Sequence, residues 1–505
     1  MSTTREIPSG GCPTNEDQGT NEINAESPAI KNDDDTASMT SLGKSETSVI
    51  GSARTAWYQT SLLLLSEVMG AGVLGLPFVA VTLGWTMTMI ALPLFALFSA
   101  YSGYQLKVVK MKYPELTSFA DAGHTLVGPR FGAFTKYAML LNWGCLAVYF
   151  IIATADAIEN IYAEGWFACK LNRSIIAALL IIIPSQSRDF HTISKYLSLP
   201  STLAIIITII IIIVTLIEGI KSSDDSTTFG ENTIIGVKPG TSIFTVMENL
   251  SSIVFAFQGQ SIFMEFMSEM KNPEQFTKTT SLSYLIMGLV YTSVVAITYG
   301  VEGENITGFL PDVVSPGAAK TTMGVLVVFH LLVSYVIVVM PFHTWLHTTI
   351  FPSTFNSSSM KGKLHWLLIT CSYLTFAWIM GNLIPFFSDV QGLLGALLGA
   401  PIAFMWPSLY YLLANKKQKQ QNQQQETSTT IVPGTLNQKE QLSSSEEEEE
   451  ERSWKDTFKS IGIFNSSISI IFICIFTPLF VIFGTYGAME AIVFDISISG
   501  APFQC

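Results

Sequence analysis

The feature that most constrains this chain is a series of apolar runs that recurs from residue 57 to the C-terminal region. A run of about twenty apolar residues crosses the hydrocarbon core of a bilayer as one α-helix. The weakest run, 174–190, has Pro184, Arg188 and Asp189 near its end. We predict an all-α membrane protein with eleven transmembrane helices, near residues 58–83, 85–106, 135–157, 174–190, 196–218, 244–267, 280–300, 321–349, 364–385, 390–414 and 463–488.

Charged residues are scarce and are concentrated in two polar segments. They make up 13% of the chain, about half the usual fraction of a soluble protein. An acidic tail covers residues 1–55, and a linker with the run Ser443–Glu451 covers 415–462. Both bury too little apolar surface to repay their ordering entropy, so we predict that both are disordered. They flank a ten-helix core, 56–414, and precede the eleventh helix and C-terminal end, 463–505. The net charge of −12 argues against a nucleic-acid partner.

The distribution of basic residues predicts the orientation. If the N-terminus is cytosolic, cytosolic segments hold 22 of the 27 Lys and Arg residues. This asymmetry is the one expected for cytoplasmic loops. The opposite side then carries Asn305, in the triplet Asn-Ile-Thr, as a candidate glycosylation site, although such triplets also arise by chance. It also carries Cys169 and Cys505, which are able to form one disulfide.

Two of the predicted helices are poorly suited to a membrane. The first contains three glycines and a proline within Gly70–Pro77, and the sixth contains Gln258-Gly259-Gln260-Ser261. Interrupted helices are tolerated at membrane depth where they line a cavity or are buried in protein. The two lie at corresponding places if spans 1–5 and 6–10 are inverted repeats, an arrangement typical of a transporter binding site. The alternative is that the glycines serve close helix packing.

The physics of such interruptions suits a zwitterionic ligand. Where the first helix unwinds, the N–H groups of Gly72–Gly75 would attract a carboxylate through hydrogen bonds and the helix dipole. Freed carbonyls near Phe255 and Phe257 would accept hydrogen bonds from an α-ammonium group. Together these groups would bind the backbone of an amino acid, and its side chain would be contacted by other helices.

Three motifs resemble those of a known family. They are Gly70–Pro77 with Leu83-Gly84-Trp85, then Glu269–Phe276, and then Asn382–Asp389 followed by Gly392 and Gly395. Together they resemble the amino acid/auxin permease family over residues 55–490. The resemblance implies a secondary active amino-acid transporter with a five-plus-five inverted-repeat fold and broken helices 1 and 6. It also implies a substrate site formed by Gly70, Ala71, Gly72, Val73, Leu74 and Gly75 with Ala256, Phe257, Gln258 and Gly259.

The coupling ion is open in the family, whose members use sodium or protons. Sodium-coupled members tend to carry asparagine where this chain has Ser66, so we expect H+ rather than Na+ and no cofactor. Glu67 is the first candidate proton carrier, because a charge near mid-membrane costs at least about 2.5 kcal/mol. His330 is the second. The alternatives are a structural pairing for Glu67 and a hydrogen-bonded core role for His330.

Other ionisable residues are assigned lesser roles. Glu265 and Glu269 lie nearer the cytosolic end of the sixth span and suit a gate or interface. His343 and His347 are four residues apart, but without a third ligand they predict no metal site.

Two functional hypotheses remain from the sequence: a proton-coupled amino-acid symporter, and a transporter-like amino-acid sensor with little flux. An enzyme is not expected, because the chain has no Walker loop, H-E-x-x-H or G-x-S-x-G motif with partners. Rings of charge or a repeated filter, which would indicate a channel, are also missing from the sequence. We expect a plasma membrane or a vacuolar or lysosomal type of membrane. The oligomeric state is not predicted.

Overall fold

The computed structural model describes residues 55–188, 193, 196–222, 232–355, 357, 359–383, 387–430 and 454–499. This part of the chain is helical, apart from loops and one isolated parallel bridge between Thr55 and Met270. The first and last parts of the predicted linker, 415–422 and 454–461, are helical. The predicted tail before Thr55 and linker residues 431–453 lie outside the described residues. Their disorder stays a prediction.

We number thirteen helices of the described chain in order, with short 3₁₀ segments between some of them, π-helical turns inside the last two, and a further helical segment over 454–461. They are α1 (Trp57–Val73), α2 (Leu76–Lys112), α3 (Phe119–Leu126), α4 (Pro129–Glu159), α5 (Lys170–Ile182), α6 (Ser198–Ser222), α7 (Ile243–Ala256), α8 (Phe263–Glu269), α9 (Phe276–Glu302), α10 (Ala318–Ile350), α11 (Met360–Leu383), α12 (Phe387–Asn422) and α13 (Ile463–Ser497).

Eight of these helices are long and apolar enough to cross a membrane: α2, α4, α6, α9, α10, α11, α12 and α13. Each coincides with one of the eleven predicted spans, which confirms an integral membrane protein with many spans. The other three predicted spans, 58–83, 174–190 and 244–267, consist of shorter or interrupted helices. The complete eleven-span, inverted-repeat arrangement therefore stays a prediction.

The boundaries of several predicted spans differ from those in the structure. Helix α5 ends at Ile182, earlier than predicted, since Pro184 supplies no backbone N–H and begins a 3₁₀ turn. Helix α12 continues to Asn422, beyond the predicted end at 414, because the lysine- and glutamine-rich sequence after the apolar run is also a good helix former.

Helix α2 contains the end of the first predicted span and all of the second, with a bend at Gly84. The φ angle of Gly84 is 66°, in the left-handed region that favours glycine. The loop after α6 packs directly on this bend, where the N–H of Trp85 donates to the carbonyl of Ile234 at 3.0 Å. A Cβ on Gly84 would overlap the carbonyl of Gly236. The predicted boundary between the first two spans is therefore confirmed as a bend.

Helix α1 lies inside the bundle, where it packs against α6, α7, α9 and α10. Its apolar side chains, such as Leu64, Met69 and Val73, have no solvent-exposed area. By contrast, α13 is the spanning helix with the smallest buried share, 28% of its most apolar window, against 78% for α10. The centre of the bundle is therefore the place where an interrupted α1 meets other helices without contacting lipid.

Backbone hydrogen bonds join the start of α1 to the end of α8. The N–H of Thr55 donates to the carbonyl of Glu269 at 2.9 Å, and the N–H of Lys271 donates to the carbonyl of Thr55 at 2.9 Å. The two interrupted segments are thus connected at one end of the molecule. The first described residue is already part of the packed structure.

Candidate functional site

The first interruption is shorter than the sequence indicates. Helix α1 continues through the glycines to Val73, and only Leu74 and Gly75 separate it from α2. The expected unwinding over Gly70–Gly75 is therefore wrong in extent. The physical reason is that the break is set by Pro77, which lacks the N–H that the carbonyl of Val73 would need. The glycines before it keep helical angles and provide space instead.

Carbonyl groups along α1 and its interruption accept hydrogen bonds from four other parts of the fold. These hydrogen bonds satisfy backbone groups that would otherwise be unpaired in an apolar interior. The bonds are Ser334 Oγ to the carbonyl of Ser66 at 2.6 Å, Tyr291 Oη to Val68 at 3.1 Å, Gln391 Nε2 to Gly72 at 3.4 Å, and the N–H of Leu310 to Leu74 at 2.6 Å.

The second interruption lies between α7 and α8, at Phe257-Gln258-Gly259, followed by a 3₁₀ turn. The carbonyl of Phe257 accepts a hydrogen bond from Tyr284 Oη at 3.1 Å, and the carbonyl of Phe255 accepts one from the N–H of Gln258 at 3.0 Å. In this conformation each of these carbonyls therefore already has one hydrogen-bond donor, from Tyr284 or from the turn itself. Their binding of an ammonium group stays a prediction, because a carbonyl oxygen has a second lone pair with which to accept.

The helix ends that precede the two interruptions contact each other directly. A Cβ on Gly72 would lie 2.6 Å from the carbonyl oxygen of Ala256 and 2.8 Å from its Cα. The hydroxyl of Tyr291 lies between the two segments, 3.1 Å from the carbonyl oxygen of Val68 and 3.3 Å from that of Ala256. The missing side chain of Gly72 thus permits a backbone-to-backbone approach.

A small cavity lies beside this contact. The space open to the centre of a water-sized sphere is about 20 Å³, enough for about one water molecule and too small for an amino acid. The structure is therefore closed around its centre. The cavity is lined by Glu67, Val68, Gly72, Leu146, Phe150, Phe255, Gln258 and Val338.

Only two of the ten candidate substrate-binding residues, Gly72 and Gln258, line that cavity. The others support the interruptions: a Cβ on Gly70 would overlap the ring of His330, and one on Gly75 would overlap the side chain of Gln391. A Cβ on Gly259 would lie 2.8 Å from Leu64 Cδ1. Val73 is buried at the end of α1. The carbonyl groups of Leu74, Ala256 and Phe257 each accept a hydrogen bond. The side chain of Ala71 lies outside the described part.

Glu67 lies in the cavity wall and is almost wholly buried. Its Oε2 atom is buried and has no hydrogen-bond partner. In the described part of the chain, no lysine or arginine forms an ion pair with it, and no hydrogen bond joins it to His330. A pairing of Glu67 with His330, the structural alternative, is thus not formed in this conformation.

His330 is buried against α1, where its ring packs on Gly70. Its Nδ1 lies 3.0 Å from the carbonyl oxygen of Ser201, and its Nε2 lies 3.2 Å from Ser334 Oγ. His330 and Ser334 thus share one face of α10. Nδ1 also lies 2.9 Å from Ser201 Oγ, so it is placed either to donate to the Ser201 carbonyl or to accept from the Ser201 hydroxyl.

A loop between α9 and α10 covers the first interruption. Its residue Leu310 is buried and donates its N–H to the carbonyl of Leu74. Asp312, outside the spanning helices, accepts a hydrogen bond from Asn160 Nδ2 at 3.1 Å. Burial, with a contribution from the nearby Asp156, raises the pKa of Asp312 to about 6, although the bond from Asn160 lowers it. The loop therefore carries an ionisable group at the end of α4, and that residue keeps an exposed surface.

The remaining candidates lie away from the cavity. Glu265 has a buried, unpartnered Oε2, and the carbonyl of Glu269 forms the bond to Thr55. His347 Nε2 lies 3.2 Å from Thr354 Oγ1, and His343 contacts the ring of Tyr373. Among the described residues, no group of three His, Cys, Asp or Glu side chains is placed to hold a metal ion.

The two outer-side candidates are placed only in part. Asn305 is exposed. Cys169 takes part in a disulfide, but Cys505 lies outside the described residues, so that pairing stays a prediction.

Sequence reasoning missed Asn142, Tyr291 and Gln391. Gln258 Nε2 donates to Asn142 Oδ1 at 3.0 Å, and Tyr291 and Gln391 hold the carbonyls of the interruptions. A usable signal existed for Asn142 and Gln391, since polar side chains are costly inside spanning helices. Tyr291 gives no such signal, because an aromatic residue is ordinary in an apolar helix.

Comparison with known proteins identifies the family. A family profile described as transmembrane amino acid transporter protein matches residues 53–435. The N amino acid transport system protein of Neurospora crassa is 25% identical over 377 residues, covering 71% of this chain and 76% of that protein. Lysine histidine transporter-like 1 and Amino acid transporter AVT1J, both of Arabidopsis thaliana, are 24% and 26% identical over 387 and 373 residues. These cover 72% and 71% of this chain, and 82% of each relative. Since the profile spans well over half of the chain, the protein belongs to the transmembrane amino acid transporter family.

Proposed function

We propose that this protein carries amino acids across a membrane by alternating access, as a proton-coupled symporter. The observation that carries the proposal is the meeting of two interrupted helices around a buried cavity that contains an unpaired acidic side chain. The similar proteins are named as transporters, which supports transport and gives the sensor alternative no support.

The substrate would enter between the two interruptions. Because the cavity is smaller than an amino acid, α1 must move away from α7 to admit one. The contact of Gly72 with Ala256 would open, and the Tyr291 hydroxyl would lose at least one of its two carbonyl partners. The backbone groups released there would be available to the carboxylate and ammonium of the substrate. This is the physical route from the closed conformation to a loaded site.

Glu67 would carry the coupled proton. An ionised carboxylate without a partner is strongly disfavoured in a buried, apolar place, so the closed conformation favours the neutral acid. Opening towards the cytosol would hydrate the cavity and release the proton together with the substrate. Substrate and proton are linked because both occupy the volume between α1 and α7.

His330 is the second candidate for this role. Ser334 gives its hydroxyl hydrogen to the carbonyl of Ser66, so its oxygen is able to accept from a protonated Nε2 of His330. The charged imidazole would thus find an acceptor at each nitrogen, the Ser201 carbonyl at Nδ1 and Ser334 Oγ at Nε2. Glu67 remains the first candidate carrier because it lines the cavity and His330 does not.

The test is Glu67→Gln in proteoliposomes. The amide imitates the protonated carboxyl in size and shape, so we expect it to bind substrate and to exchange it across the membrane. Uphill accumulation driven by a pH gradient should be lost. The two measurements are made on the same vesicles, with and without sodium, and His330→Gln provides the comparison.

Three results would contradict parts of the proposal. If Glu67→Gln keeps pH-driven accumulation while His330→Gln loses it, the proton belongs to His330. If uptake follows a sodium gradient and ignores pH, proton coupling is wrong. If the wild-type protein binds amino acids but moves none, the sensor alternative replaces transport.

Orientation and location complete the proposal. The distribution of basic residues supports a cytosolic N-terminus, and the exposed Asn305 would then lie on the opposite face, where glycosylation occurs in the secretory pathway. A protease-protection experiment on an N-terminal tag would check the orientation. Removal of N-linked sugars, with Asn305→Gln as the control, would check the modification.

A further inference from the structure

One buried amide pair in the cavity region is only half satisfied. Asn142, on α4, is fully buried, and its Oδ1 accepts a hydrogen bond from Gln258 Nε2 at 3.0 Å. The other two amide atoms, Asn142 Nδ2 and Gln258 Oε1, are buried and have no partner. A donor and an acceptor thus remain unpaired at the junction of α4 with the second interruption.

This conclusion does not depend on how the two amides are oriented. Turning both amides over leaves one bond between them, one unpaired donor and one unpaired acceptor. Turning only one over brings two oxygens or two NH₂ groups together, which is repulsive. Each unsatisfied buried group typically costs about 1–3 kcal/mol, so the two unpaired atoms destabilise the protein unless another group forms hydrogen bonds with them.

The pair adjoins the cavity. Gln258 lines it, and Asn142 lies one helical turn before Leu146, which lines it from the same helix. Apart from Glu67, Gln258 and the backbone at Gly72, the cavity wall is made of apolar side chains. Among the residues that line the cavity, Gln258 is therefore the one neutral polar side chain, and Asn142 is its side-chain hydrogen-bond partner.

We propose that Asn142 and Gln258 form the subsite that recognises the side chain of the transported amino acid. This rests on the proposed function and specifies its substrate class. The free NH₂ group would donate to an acceptor on the substrate side chain, and the free carbonyl would accept from a donor there. The class that fits is an uncharged side chain with both groups, a carboxamide or a hydroxyl.

Other classes of side chain fit less well. A charged side chain finds no opposite charge in the described wall other than Glu67, which the proposed function keeps neutral in the loaded state. A purely apolar side chain of equal size leaves both amide atoms unpaired. A site that must hydrogen-bond its ligand discriminates strongly against the analogue that lacks the group.

The experiment compares isosteric substrates. Competition for uptake is measured for glutamine against methionine and for threonine against valine, in proteoliposomes of the wild-type protein. The same ratios are measured for Asn142→Leu, Gln258→Met and the double variant. The double variant keeps the test decisive if a single variant fails to fold, because removing both partners together leaves no new unpaired atom. A matched control is Ser61→Ala with Ser283→Ala, which removes another buried polar pair between two helices, 2.9 Å apart.

We expect the wild-type protein to prefer the hydrogen-bonding member of each pair by about tenfold or more, since two neutral hydrogen bonds are at stake. The double variant should lose that preference, and the control pair should keep it. Retained preference in the double variant would overturn the proposal and leave the amides as a clamp between α4 and α7. Equal uptake of both members by the wild-type protein would overturn it too, while leaving transport intact. No uptake of any amino acid would overturn the proposed function and the subsite together.

Discussion

The contact between Gly72 and Ala256 makes a sharp prediction about Gly72→Ala. The new Cβ would lie 2.6 Å from the carbonyl oxygen of Ala256, 2.8 Å from its Cα and 3.0 Å from Tyr291 Oη. Ordinary contacts between such atoms are about 3.5–4 Å. Two of the three clashing atoms belong to backbone, so the clash is relieved only if α1 and α7 separate.

The magnitude follows from this geometry. Relief requires the two interruptions to move apart by roughly 1 Å, and overpacking of this kind costs about 1–3 kcal/mol. Alanine recovers up to about 1 kcal/mol through its helix propensity, because Gly72 lies within α1. We expect a net loss of stability of about 1–2 kcal/mol and a fall in uptake of at least tenfold, since both interruptions are displaced. Gly72→Val, with two further methyl groups, should abolish uptake.

Gly144→Ala is the matched control. Gly144 also lies inside a helix, α4, but the nearest atom to its added Cβ is Tyr373 Oη at 3.8 Å, an ordinary contact. This variant should keep its uptake and gain slightly in stability. Both variants are measured by thermal unfolding in detergent and by uptake in proteoliposomes.

One outcome would refute the reasoning about close approach. If Gly72→Ala matches Gly144→Ala in stability and uptake, the two interruptions do not need to approach so closely. The substrate site would then lie elsewhere.

Three further predictions follow from single contacts. Tyr291→Phe removes the hydroxyl shared by the two interruptions and should cost about 1–3 kcal/mol in thermal unfolding, because a buried carbonyl loses its partner; unchanged stability would contradict this. A chain that starts at Gly51 should fold normally, whereas one that starts at Trp57 loses the bridge made by Thr55 and should be less stable, which size-exclusion profiles would show. Asp312, with its pKa raised to about 6, favours the neutral acid in the folded loop, so its contribution to stability is fully present below about pH 4 and is lost as pH rises through 6. Because the side chain still reaches solvent, the effect is modest, and Asp312→Asn should flatten the decline in thermal stability between pH 4 and 7; parallel curves for the two proteins would refute it.

Much of the architecture was predictable because it depends on local sequence. Hydropathy over twenty residues predicted eight spanning helices, and the predicted boundary between the first two spans coincides with the bend at Gly84. The two interruptions were also found at the right places, since Pro77 and the Gln258-Gly259 pair act on their own segments of backbone. The extent of the first interruption was not predicted, because Gly70 and Gly72 stay helical and a side chain from another helix satisfies the carbonyl of Gly72.

The site itself was predictable only in part. Glu67 was found because an acid in an apolar run is costly wherever it packs, and the structure places it in the cavity wall. Three other features depend on residues from different helices. They are the lack of a partner for Glu67, the hydrogen bond to the carbonyl of Phe257 and the half-satisfied amide of Asn142. Those relations are invisible in a one-dimensional pattern.

The sequence by itself determined that this chain crosses a membrane many times as helices and breaks two of them, because hydrophobic burial and the geometry of proline and glycine act over short stretches of chain. The tertiary structure alone decided that Gly72 meets Ala256, that Tyr291 joins both interruptions and that α4 and α10 close the cavity. The reason is physical: a hydrogen bond or a contact between distant segments forms only when packing brings the two atoms within about 4 Å, and no local preference specifies that distance.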